Sequence, residues 1–173
     1  MGIDQSRMDL LTETFHQLKM EYDMQNSDTG IEIQFPVALN PKKKISQIFI
    51  QMDVQETYIL YHSIAKKDLV IKTDPEIINR IIEFISRANQ GLLNGNFEYN
   101  YNQRIITYKI YQSIEFQEKD NKINAAQIVQ NIVVIGNMWE RYGDQIVEAI
   151  ETNRDIQELI KEAEIDKEAI INV

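Results

Sequence analysis

Cysteine is absent from the 173 residues, so disulfides, thiolate nucleophiles and cysteine-held zinc are all excluded. Histidine is nearly absent, with only His16 and His62, and they are too far apart in sequence to form the i,i+4 pair of a helical metal site. No apolar run exceeds a few residues, so no stretch is long enough to cross a bilayer. The opening MGIDQSRMDLL lacks the basic, apolar and small-residue regions of a signal peptide. Its Gly2 and Ser6 fit the loose myristoylation pattern, but so short a pattern matches often by chance and nothing else suggests an anchor. A cytoplasmic protein is the simplest expectation.

Positive charge is also scarce, and the net charge of -9 is unevenly placed. Residues 1–30 hold six acids against Arg7 and Lys19, and residues 151–173 hold seven against Arg154, Lys161 and Lys167. Each end therefore carries -4, while the middle is close to neutral. Acidic ends repel phosphate backbones and anionic lipids, which argues against nucleic-acid and membrane partners. Most such charge simply solvates helix faces.

What the chain does have is periodicity. Met8, Leu11, Phe15, Leu18 and Tyr22 recur at helical spacing, with Ser6 and Asp9 reading as a capping box. Asn26 to Gly30 should end that helix. Residues 31–35 then read as a strand stopped by Pro36, followed by strands over 45–52 and 57–65 joined by a tight turn near Asp53 to Glu56. Asp74 is a suitable N-cap and Pro75 a suitable first residue for a helix over 74–93. Asn94-Gly95 supplies its stop, with Gly95 suited to a left-handed conformation.

A hairpin comes next. Phe97, Tyr99 and Tyr101 alternate, as do Ile106, Tyr108, Ile110, Ile114 and Phe116. Aromatic platforms bind single strands of nucleic acid where basic residues run alongside, but here the intervening residues are Glu98, Asn100 and Asn102. The ladder is therefore the inner face of a sheet. A last long helix begins near Asn124 and Gln127, with Gly136 or Gly143 expected to bend or break it, and residues 152–173 form a short helical tail with a restart at Asp166.

The order α-β-β-β-α-β-β-α, with hairpin-connected strands, predicts an α+β fold with a mainly antiparallel sheet and helices packed on it. We divide the chain into a domain over 1–150 and an acidic helical tail over 151–173.

From Ile82 to Tyr142 the sequence resembles the YbjN family in its shorter bacterial form. The matching residues are Ala88-Asn89, Gly91-Leu92, Gly95-Asn96-Phe97-Glu98, the strand with Ile106 and Tyr108, and the late Arg141-Tyr142. The resemblance implies a fold similar to type III secretion chaperones. The family was named for a proposed regulatory role in sensory transduction and has no established catalytic residues. Chaperones of that fold are typically small, acidic homodimers that bind extended segments of client proteins.

No residue pattern assembles a catalytic site. His62 and Ser63 are adjacent in a strand and point to opposite faces, so they cannot form a base–nucleophile pair. Gly91 to Asn96 lacks the Gly-Lys-Ser/Thr ending of a phosphate loop and follows a helix instead of leading into one. Gly91 there permits close helix packing. Asp53 and Glu56 read as carboxylates at an exposed hairpin tip, without the shelter that general acid catalysis needs. Lys42-Lys43-Lys44 and Lys66-Lys67 read as loop charges. The sequence thus predicts no catalytic, cofactor-binding or metal-binding residues. The function it favours is a non-catalytic protein-binding module, chaperone-like or regulatory and homodimeric. The alternative is an enzyme or small-ligand binder whose polar groups converge only in the folded chain.

Overall fold

The computed structural model describes residues 5–27, 30–65, 74–114 and 125–165. Among the described residues, a six-stranded sheet, antiparallel throughout, carries helices on one face, and the last of the four packs on the second and third. The strands are β1 (Asp23–Asn26), β2 (Ile31–Ala38), β3 (Gln47–Val54), β4 (Tyr58–Ala65), β5 (Asn96–Asn100) and β6 (Ile105–Ser113). They lie side by side in the order β1-β2-β3-β4-β6-β5. The helices are α1 (Gln5–Gln17), α2 (Pro75–Gln90), α3 (Ala125–Glu151) and α4 (Ile156–Ile165). The expected α+β architecture and element order hold, with one strand more than the periodicity predicts.

That extra strand follows from an early helix end. Ser6 falls within α1 and not before it, and the helix stops at Gln17, short of Leu18 and Tyr22. Lys19 adopts a left-handed conformation (φ 52°), and Met20 N–H reaches back to the Phe15 carbonyl at 3.2 Å. This is the bond that closes a Schellman cap. The freed residues run on into β1, and Tyr22 keeps its contact with Phe15 at 5.1 Å between ring centroids.

Pro36 does not stop β2, which continues to Ala38. The Leu39 N–H bonds the Ser46 carbonyl, so odd-numbered residues of β2 donate toward β3 and even-numbered ones face away from it. Beyond Gln34, β1 no longer pairs with that side. The missing N–H of Pro36 therefore falls on an edge, where it costs no ladder bond.

The helix α2 begins as its residues require, with Asp74 Oδ1 accepting from Glu76 N–H at 2.9 Å. It ends at Gln90 with Gly91 as its cap, four residues before Asn94. A side chain on Gly91 would meet Glu164 Oε1 of α4 at 3.3 Å.

The helix α3 neither bends to a stop at Gly136 nor breaks at Gly143; it runs 27 residues through both. Leu39 packs over Gly136, and Ile45 comes within 3.1 Å of where a Gly143 Cβ would stand. The burial of Leu39 and Ile45 offsets the helix penalty of glycine. Two of the lysines between them are likewise committed. Lys44 Nζ meets Glu148 at 3.1 Å, Lys43 Nζ meets Asp144 at 3.7 Å, and Asp144 also accepts the Lys44 N–H at 2.7 Å. Within α4, Ile156, Leu159 and Ala163 are buried, and Arg80 of α2 donates to the carbonyls of Ala149 and Arg154.

Inside, alternation delivers Phe97, Ile106, Tyr108 and Ile110 to the core, with Tyr99 half-buried. Phe97 touches three aromatic rings, those of Tyr108, Trp139 and Tyr142, at 4.8, 5.5 and 5.8 Å between centroids. Tyr101 leaves the ladder: β5 ends at Asn100, and Tyr101 stands exposed in the turn. Two polar links fix α3 to the sheet. Trp139 Nε1 donates to Ser63 Oγ at 2.8 Å, and the Ser63 hydroxyl donates in turn to the Tyr108 carbonyl at 3.1 Å. Gln112 Oε1 accepts from both Tyr61 and Asn131 at 2.8 Å. Phe116, Asn124, Lys66-Lys67 and Asp166 lie outside the described residues.

Candidate functional site

Strand alternation that fills the core must also fill a second face. The described helices lie on one side of the sheet, so the side chains of the other side form a face that no described helix covers. The register sets its rows. Gln34 stands opposite Gln51, Gln51 opposite His62, and His62 opposite Lys109. Toward one end, Phe49 stands opposite Ile64; toward the other, Glu32 stands opposite Asp53 and Asp53 opposite Leu60. Phe49 is 39% exposed and its neighbour Ile64 38%, which is unusual for adjacent large apolar groups on a sheet, and Tyr111, opposite Leu60, is 63% exposed. Tyr111 stacks on Tyr58 at 5.2 Å.

The charges on this face are few. Lys109 Nζ pairs with Glu98 Oε2 at 2.5 Å. Burial alone would raise the Glu98 carboxyl, but hydrogen bonds from Lys109 and Asn96 hold it below its ordinary value. His62 Nε2 lies 3.4 Å from Asp53 Oδ2. Burial pushes the imidazole below its ordinary value and Lys109 adds to that, against the opposing pull of Asp53 and Glu98. His62 is thus neutral at pH 7. Amides also reach two of the carboxylates: Gln51 Nε2 donates to Asp53 Oδ1 at 2.9 Å, and Gln34 Nε2 to Glu32 Oε1 at 2.5 Å.

The residues weighed in the sequence are distributed rather than gathered. Asp53 is not at a hairpin tip: it sits within β3, half-buried, where its register brings it to His62. Ser63 faces the core and is committed to Trp139 and Tyr108. His16 lies exposed in the last turn of α1, far from His62 in the chain. Gly95 takes the left-handed conformation expected of it (φ 75°). Among the described residues, no three His, Asp or Glu side chains converge as metal ligands would. No helix among them is long and apolar enough to cross a membrane.

Three shallow depressions mark the open face. One is lined by Phe49, Gln51, His62 and Ile64, and a second by Asp23, Gln25 and Glu32; Gln34 borders both. The third lies between Leu60, Glu98, Lys109 and Tyr111. None encloses a small molecule as ligand pockets do. Sequence reasoning passed over this face, although a signal was present. An outward strand position is normally polar, yet Phe49, Leu60 and Ile64 all occupy outward positions.

No protein-family model matches the chain, and no curated protein does. Among solved structures, the chain is similar to that of YbjN from E. coli, described as a candidate transcription regulator. The two share 14% identity over 92% of this chain and 93% of that one, with a TM-score of 0.44. This is the family that the segment from Ile82 to Tyr142 resembles.

Proposed function

We propose that the chain is a non-catalytic protein-binding module, chaperone-like or regulatory, and that it receives its partner on the open face of the sheet. The supporting observation is the pair Phe49 and Ile64, directly opposite each other, both large and both more than a third exposed. Apolar groups clustered on an otherwise polar surface gain free energy when another surface covers them. The chain also works as a homodimer in this reading. Its seam runs along α2, where Ile82 is 36% exposed, and away from the two acidic ends of the sequence.

Recovery of tagged protein from native lysate tests the main point. The wild type should bring down a stoichiometric partner chain and Ile64→Asp should not; equal recovery by both refutes the assignment of the face. One equivalent of metal by elemental analysis, or a nucleotide released on denaturation, would refute the non-catalytic reading. Light scattering tests the dimer, which should survive micromolar dilution; a monomer mass throughout would remove it from the proposal.

A further inference from the structure

Resting on the protein-binding reading above, we propose the chemistry of the partner: a cationic segment of another protein, carrying an apolar anchor four residues from its basic residue when extended. The argument starts from the charge count of the open face. Its described strand residues present Asp23, Glu32, Asp53 and Glu98 against a single lysine, Lys109. That lysine is already committed to Glu98 at 2.5 Å. His62 offers Asp53 a neutral ring. Among the described strand residues, three carboxylates therefore have no cation of the same face beside them.

Two of the three are set against each other. Glu32 and Asp53 are register partners on neighbouring strands, and like charges directly opposite destabilise a sheet. The amides of Gln34 and Gln51 ease each carboxylate but neutralise neither. A guanidinium or ammonium laid between them removes the repulsion and adds attraction. Neutral or acidic partners gain neither. The apolar anchor has its own place on the same strand. Phe49 lies four positions from Asp53 along β3, about 13–14 Å at the rise of a strand, with Gln51 between them. An extended segment running along β3 thus meets the face with apolar, polar and basic side chains at alternate positions. A second copy of this chain fits poorly, because its open face presents the same carboxylates and only the committed Lys109. Nucleic acid and anionic lipid are repelled by the same charges.

Fluorescence polarisation of the full chain with labelled nine-residue peptides tests this. One peptide carries Leu and Arg four residues apart; its twin carries Glu in place of Arg. The Arg peptide should bind, more weakly as salt rises, and the Glu peptide should not. Glu32→Gln with Asp53→Asn should weaken binding about fivefold or more, within the range of two partly exposed ion pairs. The control pair Glu76→Gln with Glu158→Gln, on helices away from the face, should leave it unchanged. No binding of the Arg peptide, equal binding of the Glu peptide, or equal loss in the control pair overturns the proposal. Loss with Ile64→Asp but not with Glu32→Gln and Asp53→Asn leaves the docking face standing and removes its basic partner. A dimer that light scattering shows lost in the Glu32→Gln, Asp53→Asn variant assigns the face to a second copy and overturns the proposal as well.

Discussion

The side-chain amide of Asn89 stands in for a strand beside Phe97. Its Nδ2 donates to the Phe97 carbonyl at 2.9 Å, and its Oδ1 accepts the Phe97 N–H at 2.8 Å. β5 is an edge strand, and Phe97 would otherwise offer both groups to another chain. Asn89→Ala should cost about 1–3 kcal/mol in urea unfolding, since two hydrogen bonds are lost at once. It should also raise the tendency to associate, read by light scattering. Asn89→Asp keeps only the acceptor and should be nearly as costly. An unchanged midpoint in both variants would show that the contact is incidental.

The hairpin gives a second test through neighbouring residues on opposite faces. Phe97 is buried among the rings of Tyr108, Trp139 and Tyr142, whereas the Glu98 side chain is 42% exposed. Phe97→Ala should cost about 3–5 kcal/mol. Glu98→Ala should cost well under ~1 kcal/mol, the loss of a partly exposed ion pair. Equal urea midpoints would contradict the facing.

Two glycines should respond with opposite sign to alanine. Gly136 sits in the middle of α3, and a Cβ there would meet Leu39 Cδ2 at an ordinary 3.7 Å. Gly136→Ala should stabilise by about 0.5–1 kcal/mol through helix propensity. Gly95 has φ 75°, and its Cβ would run into the Lys109 carbonyl oxygen. Gly95→Ala should therefore destabilise, by about 1 kcal/mol or more. Thermal midpoints moving the same way in both would be inconsistent with this packing.

Glu32 and Asp53 predict a surface substitution that stabilises. Glu32→Gln removes one of two like charges facing each other across β2 and β3. The gain should be about 0.2–1 kcal/mol and should shrink in high salt. A loss of stability at low salt would mean that the repulsion is already relieved within the chain.

His62 sets a pH dependence whose sign is fixed. Its folded value lies below the ordinary 6.5, chiefly through burial and then through Lys109. Between the two values the unfolded chain binds more protons, so the contribution to stability is complete above 6.5 and is lost as pH falls through that window. The ring is partly exposed, so the effect is modest. Lys109→Gln should move the imidazole titration upward and Asp53→Asn further downward, followed by NMR. The opposite order would show that burial and charge do not act on His62 as the geometry implies.

Much of the architecture was legible because it is encoded locally. The helix α2 declares itself by Asp74, Pro75 and the helical spacing of Ile78, Ile81, Ile82, Ile85 and Ala88, since caps and periodicity involve only near neighbours. The facing of Phe97, Ile106, Tyr108 and Ile110 follows from alternation alone. Gly95 follows from the turn it must make.

Tertiary structure decided the rest, because pairing partners are distant in sequence. β1 has the composition of a loop, Asp-Met-Gln-Asn, and becomes a strand only because β2 offers it an edge. The continuity of α3 through Gly136 and Gly143 depends on Leu39 and Ile45, residues about a hundred positions away. The role of Asn89 needs Phe97 folded back beside it. The open face needs register. Only the pairing of β2 with β3 and of β3 with β4 sets Glu32 against Asp53 and Phe49 against Ile64, because residues of separate strands become neighbours through hydrogen bonds that no single strand specifies.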